Sequence, residues 1–184
     1  MNNRKVYISG EIVPEVDAKI SIFDSAVLLG DTVTESTRTF NFKPFKLDEH
    51  LERLYKSFKL TRIDPQMTIE EMKKVSLELL EINKDNYKAN EDCWLVHNIS
   101  RGHSITGGNP ALQVSKPTVM IYTQPMNLVL WAPFYTKGCH AVTPPTRMVP
   151  SQSLDARIKN RSRLFYTLAE IEAKLVDPDA QSVI

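Results

Sequence analysis

Val6 and Ile8 alternate with polar neighbours before Ser9-Gly10, and Ile12-Val13 resume ahead of Pro14, which predicts a short β-hairpin. A second hairpin is predicted around Asn41-Phe42-Lys43. Its first arm, 32–40, is rich in Thr and Val, and its second, 44–47, ends at Asp48, a residue type suited to a helix N-cap. Beyond it Leu51, Leu54, Tyr55 and Phe58 recur at helical spacing, with Glu52, Lys56 and Lys59 on the outer face and His50 and Arg53 beside the apolar stripe. Thr68-Ile69-Glu70-Glu71 forms a capping box, and Ile69, Met72, Val75, Leu79 and Ile82 continue a second amphipathic helix that frays in the polar stretch 83–92. The apolar run 93–99 reads as a buried strand ended by Arg101-Gly102. A loop bearing Gly and Pro leads to another short strand at 118–122.

These elements predict a small N-terminal α+β domain over residues 1–122. The aperiodic segment 123–127, with Pro125, reads as an interdomain linker, and a second domain spans 128–184. In that domain 139–142 reads as a strand and Pro144-Pro145 interrupts it. Leu164, Leu168, Ile171 and Leu175 then make a helical stripe that stops before Asp177-Pro178. The residues 181–184 have the character of a strand beginning.

The 184 residues are 42% apolar, enough for a substantial core. A net charge of +1 provides no global field for nucleic acid or an anionic membrane, so an anion site must be a local cluster. Cys93 and Cys139 have no metal-ligand spacing and read as buried fillers, and no metal is expected. No apolar run approaches membrane-spanning length and no signal-peptide core follows the N-terminus; the expected location is cytoplasmic.

The local basic cluster lies at Arg157-Ile158-Lys159-Asn160-Arg161-Ser162-Arg163, ahead of the last helical stripe. A lysine crowded by cations and partly buried loses its proton more readily, and a neutral amine can form a Schiff base. The same arginines suit a phosphate, whose oxygens match the guanidinium fork. Alone, the segment reads rather as a basic helix start with a solvated lysine.

Taken in order, several stretches resemble the fold type IV pyridoxal-phosphate enzymes, the class IV aminotransferases. They are Val6-Tyr7-Ile8-Ser9-Gly10-Glu11, Ser21-Ile22-Phe23-Asp24, Gly30-Asp31, Glu35-Ser36-Thr37-Arg38, His50-Leu51-Glu52-Arg53-Leu54 with Ser57, Ser100-Arg101-Gly102 and Arg157-Ile158-Lys159. The resemblance implies a two-domain α+β fold, bound pyridoxal 5'-phosphate, a homodimer, and transfer of an amino group between an amino acid or amine and a 2-oxo acid. It makes Lys159 the Schiff-base lysine and Arg53 the phosphate-binding arginine, against an alternative in which Arg53 pairs with Glu49 on its own helix. His50 reads as a structural neighbour of Arg53. Arg38, Arg101 and Arg147 are candidates to grip a substrate carboxylate, each balanced by an ordinary surface ion pair. Tyr7 and Phe40 are aromatic candidates for a pocket or, more commonly, for core.

After the lysine, the branched-chain type carries an Asn-Tyr-Leu-like step where this chain has Ser162-Arg163-Leu164. Either Arg163 contacts the cofactor oxygen or phosphate, or the protein belongs to a branch with another substrate. Family members continue beyond the lysine element with an acidic partner for the pyridine nitrogen and a phosphate-cradling helix, so the chain reads as truncated after Ile184. The rival readings are a lyase of the aminodeoxychorismate type on the same fold and a non-catalytic remnant.

Overall fold

The structure, a computed structural model, describes residues 3–88, 91–103 and 116–183. Two compact units result, one of Met1–Met126 with Arg157–Arg161 and the other of Asn127–Ala156 with Ser162–Ile184. Helices and antiparallel strands in the first unit make it α+β, as expected.

Its sheet begins with the predicted hairpin of β1 (Lys5–Ile8) and β2 (Glu11–Pro14), closed by Ser9 and Gly10 at φ of 47° and 112°. A short helix α1 (Ser25–Leu29) follows, its first turn capped by the Asp24 carboxylate on the Ala26 N–H. Then come β3 (Thr32–Phe40) and β4 (Lys43–Pro44), turned by Asn41 and Phe42 with positive φ. Phe42 tolerates that conformation because its N–H donates to Asp92 and its ring packs on Tyr87. Helices α2 (Leu47–Thr61) and α3 (Ile69–Asn83) precede β5 (Cys93–Ser100) and β6 (Thr118–Pro125). The strand order is β2-β1-β6-β5-β3-β4, antiparallel throughout.

Register puts Tyr7, Ile121, His97 and Glu35 in one row across β1, β6, β5 and β3, all buried on one face of the sheet. Leu51, Leu54 and Phe58 of α2 and Met72, Leu79 and Leu80 of α3 complete the core with Leu95 and Ile99. The capping box forms as the sequence implies, Glu71 N–H on the Thr68 hydroxyl and Thr68 N–H on the Glu71 carboxylate. At the far end of α3, Asn83 bonds both backbone groups of Lys5.

Three boundaries differ from the sequence reading. Helix α2 starts at Leu47 after Lys46 in a left-handed conformation, so Asp48 lies inside the first turn, where its charge favours the helix dipole and pairs with Lys73. Strand β6 runs through 123–125, the segment expected as linker, because Cys93, Trp94 and Leu95 pair with Pro125, Gln124 and Thr123. The stretch Arg157–Arg161 groups with the first unit, although the sequence reading places it in the second domain.

In the second unit, α4 (Leu128–Trp131) and α5 (Phe134–Lys137) lead to β7 (His140–Val142). Helix α6 (Leu164–Val176) and β8 (Ala180–Val183) follow, with β7 and β8 parallel. The stripe Leu164, Leu168, Ile171 and Leu175 is exposed, and α6 buries Ala169 and Ala173 instead. Helical spacing marks an apolar face; which face meets its neighbours depends on those neighbours. Cys93 is buried as expected, whereas Cys139 is exposed. Among the described residues no helix is long and apolar enough to cross a membrane.

Replacing the wholly buried Leu51 by Ala is expected to cost about 2–5 kcal/mol in chemical denaturation, against under about 0.5 kcal/mol for Leu164→Ala on the exposed stripe. Equal losses from both would contradict the assigned core.

Candidate active site

Period-2 alternation in β3 sends Glu35 to the helix-covered face, where it is completely buried. A bare carboxylate there is costly, so it demands cationic or N–H partners. Helix α2 supplies two of them, His50 and Arg53, which lie with Ser57 along one side of the helix. Arg53 grips Glu35 with a two-pronged fork, Nε to Oε2 and Nη2 to Oε1, both at 2.6 Å. His50 Nδ1 stands 3.1 Å from Oε1, and the Ser36 N–H donates to the same oxygen at 2.9 Å.

Lys159 arrives from 124 residues away and places Nζ 3.1 Å from Glu35 Oε1. Its backbone is extended, not helical. The Thr34 N–H donates to the Lys159 carbonyl and the Arg161 N–H to the Thr32 carbonyl, each at 2.8 Å, so the segment adds to the edge of β3 as a short antiparallel bridge. The Lys159 N–H donates to Ser57 Oγ at 3.3 Å, and Ser57 in turn donates to the Arg53 carbonyl. Ile158 packs against the core. Backbone bonds on both sides thus aim the lysine at the carboxylate.

Burial raises the pKa of Glu35, but the Arg53 fork, the Ser36 N–H and the Lys159 charge outweigh it and bring the group down to about 2. The same fork pushes Arg53 above its ordinary value. Opposite Glu35, the wholly buried His97 is driven down to about 4, chiefly by burial. Ser76 Oγ donates to the Met72 carbonyl and therefore accepts from His97 Nε2, at 2.8 Å. That assigns the proton to Nε2 and leaves Nδ1 without a hydrogen-bond partner.

Of the residues singled out from sequence, Lys159 and Arg53 converge on one carboxylate, with His50 beside them. Arg53 is not paired with Glu49, which meets Lys46. Arg38 instead lies over the Phe40 ring at 3.8 Å and near Asp92. Arg101 binds Asp31 and the carbonyls of Thr61 and Arg62. Neither is brought to the Lys159 cluster. In the second unit Arg147 is exposed, and Arg163 sits 4.5 Å over the Tyr166 ring at the head of α6. Tyr7 is core; Phe40 is half-exposed against Phe45. A hollow of about 280 Å³ near Val6, Ile8, Met120 and Tyr122 touches none of the clustered residues.

The profile of the family described as Amino-transferase class IV matches residues 32–184. The chain belongs to that family. It is 35% identical over 175 residues to a putative branched-chain-amino-acid aminotransferase of Methanocaldococcus jannaschii, covering 95% of this chain and 57% of the relative. A D-alanine aminotransferase of Staphylococcus epidermidis is 32% identical over 120 residues, 65% of this chain and 41% of that protein. Among solved structures, the T.th. branched-chain amino acid aminotransferase with pyridoxamine 5'-phosphate matches at a TM-score of 0.84 and 24% identity, over 100% of this chain and 59% of that one. The branched-chain aminotransferase of Thermoproteus uzoniensis with norvaline matches at 0.76 and 24%, over 95% and 57%. The fold is shared with these aminotransferases, and the chain spans less than three-fifths of their length. Class IV aminotransferases are pyridoxal-phosphate enzymes.

Sequence reasoning missed the role of Glu35. Its signal lay in the alternation Val33, Glu35, Thr37, Thr39, which puts one acid on the inner face of a strand.

Acid should weaken the fold in two stages. From pH 6.5 down to about 4 the unfolded chain binds a proton on His97 that the folded chain refuses, so stability falls. The depressed pKa of Glu35 contributes stability that is full above 4.5 and lost as pH falls from 4.5 to about 2. Urea midpoints followed from pH 7 to 2 are expected to lose the upper slope in His97→Gln and the lower slope in Glu35→Gln; an unchanged profile in either variant contradicts that assignment.

Proposed function

We propose that the protein works as a pyridoxal-phosphate-dependent transaminase, moving an amino group between an amino acid or amine and a 2-oxo acid, with Lys159 as the Schiff-base lysine. The observation that carries this reading is the meeting of Lys159 Nζ and the Arg53 fork on the single buried carboxylate of Glu35, in a chain of this family.

The residues fit the cofactor. Lys159 offers a primary amine whose side chain is 28% exposed, accessible to a carbonyl carbon yet held at its base by backbone bonds. Two of the five guanidinium N–H bonds of Arg53 face Glu35 and Nη2 also lies 3.5 Å from His50 Nδ1, which leaves the Nη1 edge for phosphate oxygens, and the side chain is 51% exposed. When bound, pyridoxal phosphate supplies an aldehyde carbon and a conjugated ring that takes up the electron pair left as the substrate Cα–H bond ionises. Lys159 Nζ would hold that carbon in the resting state. Once the substrate amine has taken its place, the same nitrogen would carry the proton from Cα. Arg53 would orient the phosphate, and Ser57, bonded to Lys159 N, would hold the base of the lysine in place. A homodimer in solution belongs to the same reading.

The test is a visible absorption spectrum of the chain after loading with pyridoxal phosphate and removal of excess, followed by borohydride reduction and peptide mapping. The expected result is an imine band, bleached by an amino donor and restored by a 2-oxo acid, and a reduced adduct on Lys159 that is absent from Lys159→Ala. Arg53→Ala is expected to weaken cofactor binding by about tenfold to a hundredfold. A reduced adduct distributed over surface lysines, alike in both proteins, would overturn the assignment; consumption of the donor with pyruvate release and no need for a 2-oxo acid would make the enzyme a lyase.

A further inference from the structure

The carboxylate that receives Lys159 and Arg53 holds more than the pair needs. Glu35 Oε1 faces four donors, Arg53 Nη2 at 2.6 Å, Ser36 N–H at 2.9 Å, and Lys159 Nζ and His50 Nδ1 at 3.1 Å. Oε2 accepts Arg53 Nε at 2.6 Å. One carboxylate oxygen has two lone pairs, so four donors cannot all bond it well. The short contacts belong to Arg53, whose fork uses both oxygens; Lys159 holds one oxygen at longer range. The arginine is therefore the fixed partner and the lysine the exchangeable one.

We propose that Glu35 is the positioning residue of the site, clamping the Arg53 fork in a phosphate-ready orientation and parking the Lys159 amine until a carbonyl compound takes it. This rests on the cofactor reading above. When Lys159 leaves, Glu35 keeps the Arg53 fork and the Ser36 N–H, with His50 Nδ1 still 3.1 Å from Oε1. No buried carboxylate is stranded by the departure. Among the described residues, the charged and titratable groups around Oε1 are those already named on β3, α2 and the Lys159 segment, with His97 opposite on β5. The division of labour explains why the arginine donates its Nε edge inward: the fork is set by protein, and the outer N–H groups stay pointed away from Glu35.

The experiment is site-resolved chemical labelling of the 184-residue chain without cofactor, using acetic anhydride for lysine and phenylglyoxal for arginine, read by peptide mass spectrometry. Glu35→Gln keeps the shape and removes the charge. It is expected to raise labelling of Lys159 and Arg53 by about fivefold, with Glu35→Asp between it and the unaltered chain and Glu52→Gln unchanged. Lys73 and Arg101 serve as internal references, because general loosening would raise their rates too. Unchanged rates at Lys159 and Arg53 in Glu35→Gln overturn the proposal, as does a rise shared by the references; should Glu35→Gln not fold, Glu35→Asp decides by the same ratios. A second readout compares binding of pyridoxal phosphate with that of pyridoxal. The advantage given by the phosphate is expected to shrink about tenfold in Glu35→Gln while pyridoxal binding changes little. An undiminished advantage also counts against Glu35. Absence of the Lys159 adduct in the unaltered chain instead defeats the cofactor reading, and the labelling ratios still judge the positioning role.

Discussion

A carboxylate with no exposed surface, Glu35 on β3, is the constraint around which the first unit is arranged. Moving such a group out of water costs several kcal/mol, and hydrophobic packing cannot offset that cost locally. Only charged donors in good geometry can. Arg53 must therefore be on the turn of α2 that faces β3, which fixes how that helix is rotated over the sheet. The apolar stripe of Leu51, Leu54 and Phe58 allows the same rotation, so packing and electrostatics agree. The fold and the site are specified together, and a change that rotated α2 would damage both.

The lysine reaches this carboxylate by a different device. A long side chain on a loop would sample many rotamers, and much of any gain from an ion pair would be lost to ordering it. Here the Lys159 carbonyl and the Arg161 N–H are bonded to β3, and the Lys159 N–H is bonded to Ser57 on α2, so the base of the side chain is fixed before the amine finds its partner. Ordering is carried by backbone hydrogen bonds at the base of the side chain, and among the described residues the amine end is held only by its contact with Glu35. An extended edge serves this purpose better than a helix, in which the backbone bonds would be internal and could not tie the residue to β3.

The parts of this arrangement legible in the sequence are those written in local pattern. Hairpins at Ser9-Gly10 and Asn41-Phe42, the capping box at Thr68 and the stripe of α2 follow from turn chemistry and spacing, and the structure has them. The start of α2 differs from its expected place because Asp48 suits a cap, while Lys46, which takes the left-handed position, carries no sequence signal for it. Strand β6 outruns its expected end because pairing with β5 overrides the aperiodic look of 123–125. Arg38 and Arg101 draw attention as strand-end arginines, yet their partners decide their places: the Phe40 ring two residues along the same strand and Asp92 for Arg38, and Asp31 for Arg101. For α6 the spacing of Leu164, Leu168, Ile171 and Leu175 identifies a helix and cannot say which side of it is covered.

Glu35 shows why a site of this kind resists sequence reading even when its other members do not. Lys159 and Arg53 are conspicuous for their chemistry, an amine among guanidiniums and a guanidinium beside an apolar stripe. An acid in a Thr-rich strand is conspicuous only once its face is known, and the face depends on register with β5, about 60 residues later. A period-2 reading of β3 narrows the choice to two faces; the helices then decide between them. An inward acid in such a strand is costly in every arrangement except one that brings cations to it. The search for a site can therefore begin from the buried charge and ask which basic residues the chain must deliver, and in this protein that question leads to Arg53, His50 and Lys159 from separate stretches of sequence.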